Sequence, residues 1–143
     1  MGRSFLAIFF GIIIAHIVIG CVEWVSYQVY PIPPNIDIND MKAVSEWVAS
    51  LPLGAFLFIL LAWLLGTTAG TAWAARFEDQ RPLLHAYIVG GIMLALGIAN
   101  MQAIEHPIWF QVLGIIVFPI GTAAGHHLAK RPIDPGTRPE TQT

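Results

Sequence analysis

The sequence predicts an all-α membrane protein: a four-helix transmembrane bundle built from two helical hairpins, with a short interfacial helix in the first outer loop. Three observations carry that prediction. Hydrophobic residues make up 56% of the chain and charged residues 11%, about half the charged share of an ordinary soluble domain. Four apolar stretches, at 5–30, 51–75, 83–104 and 107–128, each reach the ~20 residues needed to cross a ~30 Å hydrocarbon core. The small-residue phrase GTTAGTAWAAR at 66–76 returns 55 positions later as GTAAGHHLAKR at 121–131. Residues 1–131 are expected to form one transmembrane domain, followed by a tail at 132–143 in which Pro135 and Pro139 stand among polar residues and disorder is expected.

The first span carries His16, Gly20, Glu23 and Tyr27 at spacings of four, three and four, so one stripe of it is small or polar and should point into the bundle or a partner. Counted from Phe5 at 1.5 Å per residue, His16 lies about 16 Å in, near the midplane, and Glu23 about 27 Å in, at the outer edge. VIGC at 18–21 also fits a lipoprotein cleavage box with Cys21 lipidated. The run is longer than a usual signal core, contains His16 and continues through VEWVSYQVY, so it is kept as an intact span.

After it, YPIPPNIDIND is extended and proline-punctuated. Met41, Val44, Val48 and Leu51 then recur at helical spacing with Asp37 or Asp40 as cap, which predicts a short helix lying on the outer membrane surface. In the second span Ala62, Gly66, Gly70 and Ala74 form a small-residue stripe, and in the third Gly91, Ala95 and Ala99 do the same. Such stripes let helix backbones approach closely, and in lipid that contact replaces the hydrophobic force. Setting the second and fourth spans in register also aligns Pro52 with Pro107, Thr67 with Thr122, and Arg76 with Arg131. Gly66, Gly70, Gly121 and Gly125 are the expected packing positions, and the pattern reads as two hairpins related by a parallel repeat. Trp24, Tyr27, Tyr30, Trp47 and Trp109 fall at the outer boundary and Trp73, Phe77 and Tyr87 at the inner one, with Trp63 the exception near mid-depth.

Basic residues set the orientation, because cytoplasmic loops retain Lys and Arg. With the amino terminus inside, Arg3, Arg76, Arg81, Lys130, Arg131 and Arg138 are cytoplasmic and only Lys42 is exported. Both termini are therefore expected in the cytoplasm. Beside the spans the 143 residues leave one loop, two turns and a short tail, with no room among them for a soluble catalytic domain. Cys21, the single cysteine, excludes an internal disulfide and any CxxC redox or zinc pattern. No phosphate loop, HExxH motif or basic and aromatic nucleic-acid surface is present, so neither nucleic acid nor any cofactor is expected.

Ionisable side chains inside spans are functional candidates by default. His16 has an ordinary explanation, a hydrogen bond to the Ile115 carbonyl that Pro119 frees in the fourth span. It also has a sharper one, a proton line from Glu23 through His16 to Thr67, Thr122 and His126. At the outer turn, Asn100, Gln102, Glu105 and His106 come level with Glu23 and offer a site for a cation or small polar ligand, although a water-facing turn is polar without special reason. At the inner side, His85 with His126 or His127 is the weak candidate for two haem ligands, with Gly90, Gly121 and Gly125 leaving room for the ring.

The combination VEW, YPIPP, LPLGAF, AWLLGTTAG, EHPIWF and GTAAG, spread over most of the chain, resembles small four-span bacterial inner-membrane proteins of unassigned function. That resemblance implies the topology and the membrane and carries no activity onto any residue. Small multidrug-resistance exporters are similar in length and span number and keep a glutamate in the first helix, but theirs lies deep and Glu23 lies at the edge. Two functions follow as expectations. The first is a non-enzymatic protein whose glycine faces serve self-association as a homo-oligomer or an accessory role with a partner membrane protein. The second is a small transporter or proton-linked permease using His16 and Glu23.

Overall fold

The computed structural model describes residues 2–77 and 80–130. Five helices make up the fold: α1 Gly2–Val29, α2 Met41–Ala49, α3 Leu53–Phe77, α4 Pro82–Ala103 and α5 Ile108–Ala129. α1, α3, α4 and α5 are long and apolar enough to cross a membrane, which makes this a multi-pass membrane protein. Arg131 and the tail at 132–143 lie outside the described residues.

Local chemistry sets each boundary. α1 stops before Tyr30-Pro31, since the residue before a proline is pushed out of the helical region. Its 28 residues span about 42 Å at 1.5 Å per residue, more than the hydrocarbon core, so it must tilt or protrude. Of the two expected caps for α2, Asp40 serves: its carboxylate accepts from the N–H groups of Lys42 at 3.0 Å and Ala43 at 3.3 Å. Asp37 instead folds the preceding turn by accepting from the backbone and side-chain nitrogens of Asn39, and these bonds hold its carboxyl below the usual carboxylate range. Pro82 opens α4 where no intrahelical partner is needed, and Pro107 precedes α5.

Successive long helices run in opposite directions. Arg3 at the start of α1 donates to the Phe77 carbonyl at the end of α3 at 3.2 Å and lies over the Phe77 ring, which brings those termini to one end. α3 packs against α1, α4 and α5, whereas α1 touches α4 only lightly. The bundle is therefore organised around α3 and does not divide into two separate hairpins.

The α1–α3 contact is a backbone approach. A Cβ at Gly66 would stand 2.7 Å from the Ala15 carbonyl oxygen, and one at Gly11 would stand 2.9 Å from the Gly70 carbonyl oxygen. Ala7, Gly11 and Ala15 are buried here, so the packing face of α1 is a small-residue stripe beside the one that carries His16. On α5, a Cβ at Gly121 would meet Leu64 O and Thr67 Cβ at 3.0 Å, and one at Gly125 would meet Ala72 N at 2.9 Å. The two repeated motifs thus lie at one level, but they do different things: that of α3 faces antiparallel α1, and that of α5 faces parallel α3.

On α4 the structure corrects the sequence reading. Gly91, Ala95 and Ala99 are exposed, and a side chain at Gly91 would meet nothing within 4 Å. The buried face carries Ala86, Val89, Gly90, Met93, Gly97 and Met101 instead. Gly90 receives Thr122, and Gly97 receives the Phe118 ring. Small residues at helical spacing occur on two faces of α4, and only the knobs of α5 decide which is used.

Candidate functional site

At the α2 end the bundle opens. A cleft of about 430 Å³ lies between Glu23, Ser26 and Tyr27 of α1, Ala55, Ile59 and Trp63 of α3, and Asn100 on α4 with Ile104 just after it. Its outer wall comes from the proline-rich strap and α2, through Ile32, Ile36, Ile38, Met41, Val44 and Trp47, and His106 lines it from the α4–α5 turn. A smaller chamber of about 170 Å³ lies beyond, lined by His16, Ile19, Met93, Leu96, Gly97 and Phe118. Glu23, Trp63 and Asn100 line both cavities and so form the step between them.

Large side chains hold this end apart. Trp63 stacks on Phe118 at 5.2 Å and tilts against Phe110 at 5.5 Å, while Phe56 meets Phe110 at 5.3 Å. Trp63 is 6% exposed, so the tryptophan that reads as a misplaced anchor by depth is a packed wall of the site. Val44, Trp47 and Leu51 pack on the same core from the α2 side, and the Glu105 N–H donates to the Ser45 hydroxyl at 3.4 Å. Those contacts tie α2 to the α4–α5 turn.

His16, Glu23, Asn100 and His106 are thereby brought to one connected region, His16 in the lower chamber and the other three in the cleft. Glu105 is exposed and lines neither cavity. His16 does not pair with the Ile115 carbonyl: its Nδ1 donates to Ile12 O, four residues back on its own helix, at 2.9 Å. A carbonyl one turn away is always within reach, whereas Ile115 is exposed on α5, and α5 does not pack on α1. Because a carbonyl only accepts, Nδ1 carries the proton and Nε2 is the free nitrogen of the ring.

His106 is half-buried. Its Nδ1 donates to Ile104 O at 2.6 Å and its ring stacks on Phe110 at 4.7 Å. Burial pushes its pKa below the ordinary imidazole value, with the Ile104 bond opposing in part.

The expected haem arrangement has lost its space. Gly90, Gly121 and Gly125 are filled by Thr122, Thr67 and Thr71 respectively, since threonine side chains from neighbouring helices fit where glycine has no Cβ. His85 is buried and donates from Nδ1 to Arg81 O at 2.9 Å, His126 has a buried Nδ1 with no partner, and His127 is exposed. Of the threonines on the expected proton line, Thr122 donates to Phe118 O of its own helix at 2.8 Å, and the buried Thr67 hydroxyl has no hydrogen-bond partner among the described residues. Among the described residues no three His, Cys, Asp or Glu side chains form a group able to hold a metal ion.

Fold and site together define a small helical membrane protein with a cleft at one end of its bundle. No protein-family model matches the chain, and neither a curated protein nor a solved structure matches it.

Proposed function

We propose that this protein is a non-enzymatic, multi-pass protein of a bacterial inner membrane, with both termini cytoplasmic, that binds a small ligand in the cleft between α1, α3 and α4. The observation that carries the reading is the cavity itself. At about 430 Å³ it falls within the 300–1,000 Å³ typical of small-molecule sites, with apolar walls and a few convergent polar groups. Glu23, Asn100 and His106 supply those groups. The orientation rests on the distribution of basic residues, which puts the cleft at the periplasmic end.

Native mass spectrometry of gently extracted protein tests the reading, because it reports bound small molecules and partner chains together. A retained ligand mass is expected on the unaltered protein and should be missing from Ser26→Trp, which fills the cleft from the α1 side. Protein that carries no small molecule before or after exposure to a solute panel would end the proposal.

A second reading is favoured by Gly20 and Gly91, where an added side chain would meet nothing within 4 Å. These are small-residue surfaces beyond those the bundle uses, and they support self-association or an accessory role. A stoichiometric second chain in the same spectra is its signature.

A further inference from the structure

We infer that the cleft selects an organic cation, an ammonium group on an apolar or aromatic body, with Glu23 as its counter-ion and the aromatic side chains of Tyr27, Tyr30, Trp47 and Trp63 among its walls; this rests on the ligand-binding reading above. The argument is one of charge and surface. The cleft is lined by one carboxylate, Glu23, and by no lysine or arginine. His106 adds no opposing charge at neutral pH, since burial lowers its pKa. The remaining polar groups, Asn100, Ser26, the tyrosine hydroxyls and the indole N–H groups of Trp47 and Trp63, carry no charge, and all but the indoles offer acceptor oxygens. Glu23 is half-buried, a place where a carboxylate gains from a positive partner, and on the protein's side its one basic neighbour is the His16 imidazole in the lower chamber, since no lysine or arginine lines the cleft.

The surroundings point the same way. Asp37, Asp40, Glu46 and Glu105 are exposed at this end of the bundle against Lys42 alone, a field that draws cations toward the opening. An inorganic ion does not fit, because the walls are mostly aliphatic and aromatic and no metal-ligating trio lies there. Ammonium groups, by contrast, gain from aromatic faces when desolvated. An anion would face Glu23 with no compensating donor of positive charge.

The experiment compares benzyltrimethylammonium with neopentylbenzene, the neutral molecule of the same shape, by equilibrium dialysis against protein in lipid nanodiscs, with binding to empty nanodiscs subtracted. The cation is expected to bind at least about tenfold more tightly than its isostere, the size of effect a desolvated charge pair with aromatic contacts supplies. Glu23→Gln should remove that preference while leaving neopentylbenzene binding unchanged, which reports an intact cleft. Equal binding of the two probes, or a preference that survives Glu23→Gln, overturns the cation inference and leaves the cleft standing. Binding of neither probe, together with no difference between the unaltered protein and Ser26→Trp, overturns both.

Discussion

The two ends of the bundle are built from the same four helices by opposite rules. Toward the end where Arg3 meets Phe77 each helix presents small residues: Ala7 and Gly11 on α1, Gly70 and Ala74 on α3, Ala86 and Gly90 on α4, Gly121 and Gly125 on α5. Toward the α2 end the same helices present Glu23 and Tyr27, Phe56 and Trp63, Met101, and Phe110 and Phe118. On α3 the change falls between Trp63 and Gly66, less than one turn. Lipid tails are as apolar as any helix surface, so burial alone does not hold spans together, and dense contact must. Where glycine permits backbone approach the helices close; where aromatic rings stand between them they part and leave the cleft. One end is thus a clamp and the other a vessel, and the clamp fixes how far the vessel opens.

The clamp should be the more fragile to added bulk. At Gly125 a side chain would run into the Thr68 carbonyl and the Ala72 amide, which are helix backbone and cannot rotate away. Gly125→Leu is therefore expected to abolish recovery of folded protein, beyond the roughly 1–3 kcal/mol that overpacking removes where side chains can yield. Gly91→Leu makes the same chemical change on the same small-residue background but in open space, and its stability should stay within about 0.5 kcal/mol of the unaltered protein. Denaturation by increasing detergent denaturant, followed by circular dichroism, reads both. Equal behaviour of the two variants would break the distinction between clamp and lipid face.

At the vessel end the corresponding test is removal of bulk. Phe110 is fully buried against Phe56, Trp63 and His106. In a water-soluble core Phe→Ala loses transfer energy and leaves a cavity, but here the unfolded reference is lipid, so the transfer part largely drops out. Phe110→Ala is expected to lower stability by roughly 1–3 kcal/mol, the share left to lost contact and void. A loss as large as that of Gly125→Leu would show that the rings, and not the glycines, hold the bundle together.

The same division explains what could be read before the structure. Length and apolar composition identify the four spans because nothing else satisfies twenty consecutive backbone groups in lipid, and an aspartate cap on α2 is readable because few residues do that work, although the choice of Asp40 over Asp37 waits for the structure. The choice of face on α4 is not readable: Gly91, Ala95, Ala99 and Gly90, Gly97 are equally small, and lipid and helix neighbours are equally apolar, so no polarity contrast marks the inside. Ala7, Gly11 and Ala15 escape notice for the same reason, diluted among larger apolar neighbours. Glu23, Asn100 and His106 stand out as polar residues at a common level. Their sharing of one cleft depends on how far α1 stands from α4, which is set by Trp63 and the glycines of α3 acting through space. His16 shows the limit from the other side: Pro119 frees a carbonyl in sequence, but the imidazole takes the nearer oxygen of Ile12.

The smallest expected effect also belongs to the vessel and sharpens the comparison by chemistry instead of bulk. Burial lowers the pKa of His106 from its ordinary value of 6.5, so the unfolded chain takes up a proton at a higher pH than the folded one. By linkage this group's contribution to stability is fully present above about pH 6.5 and is lost as pH falls from there toward the depressed folded value. Carboxylates add their own acid dependence, so the contribution is read as a difference. His106→Phe keeps a ring on Phe110, gives up the bond to Ile104 O, and cannot titrate. Between pH 7 and pH 5 its melting temperature should fall less than that of the unaltered protein, whereas Gly91→Leu should follow the unaltered curve. Parallel curves for His106→Phe and the unaltered protein would mean that the imidazole is hydrated in the folded state, and the α4–α5 turn would then be an open rim of the cleft instead of part of its packed wall.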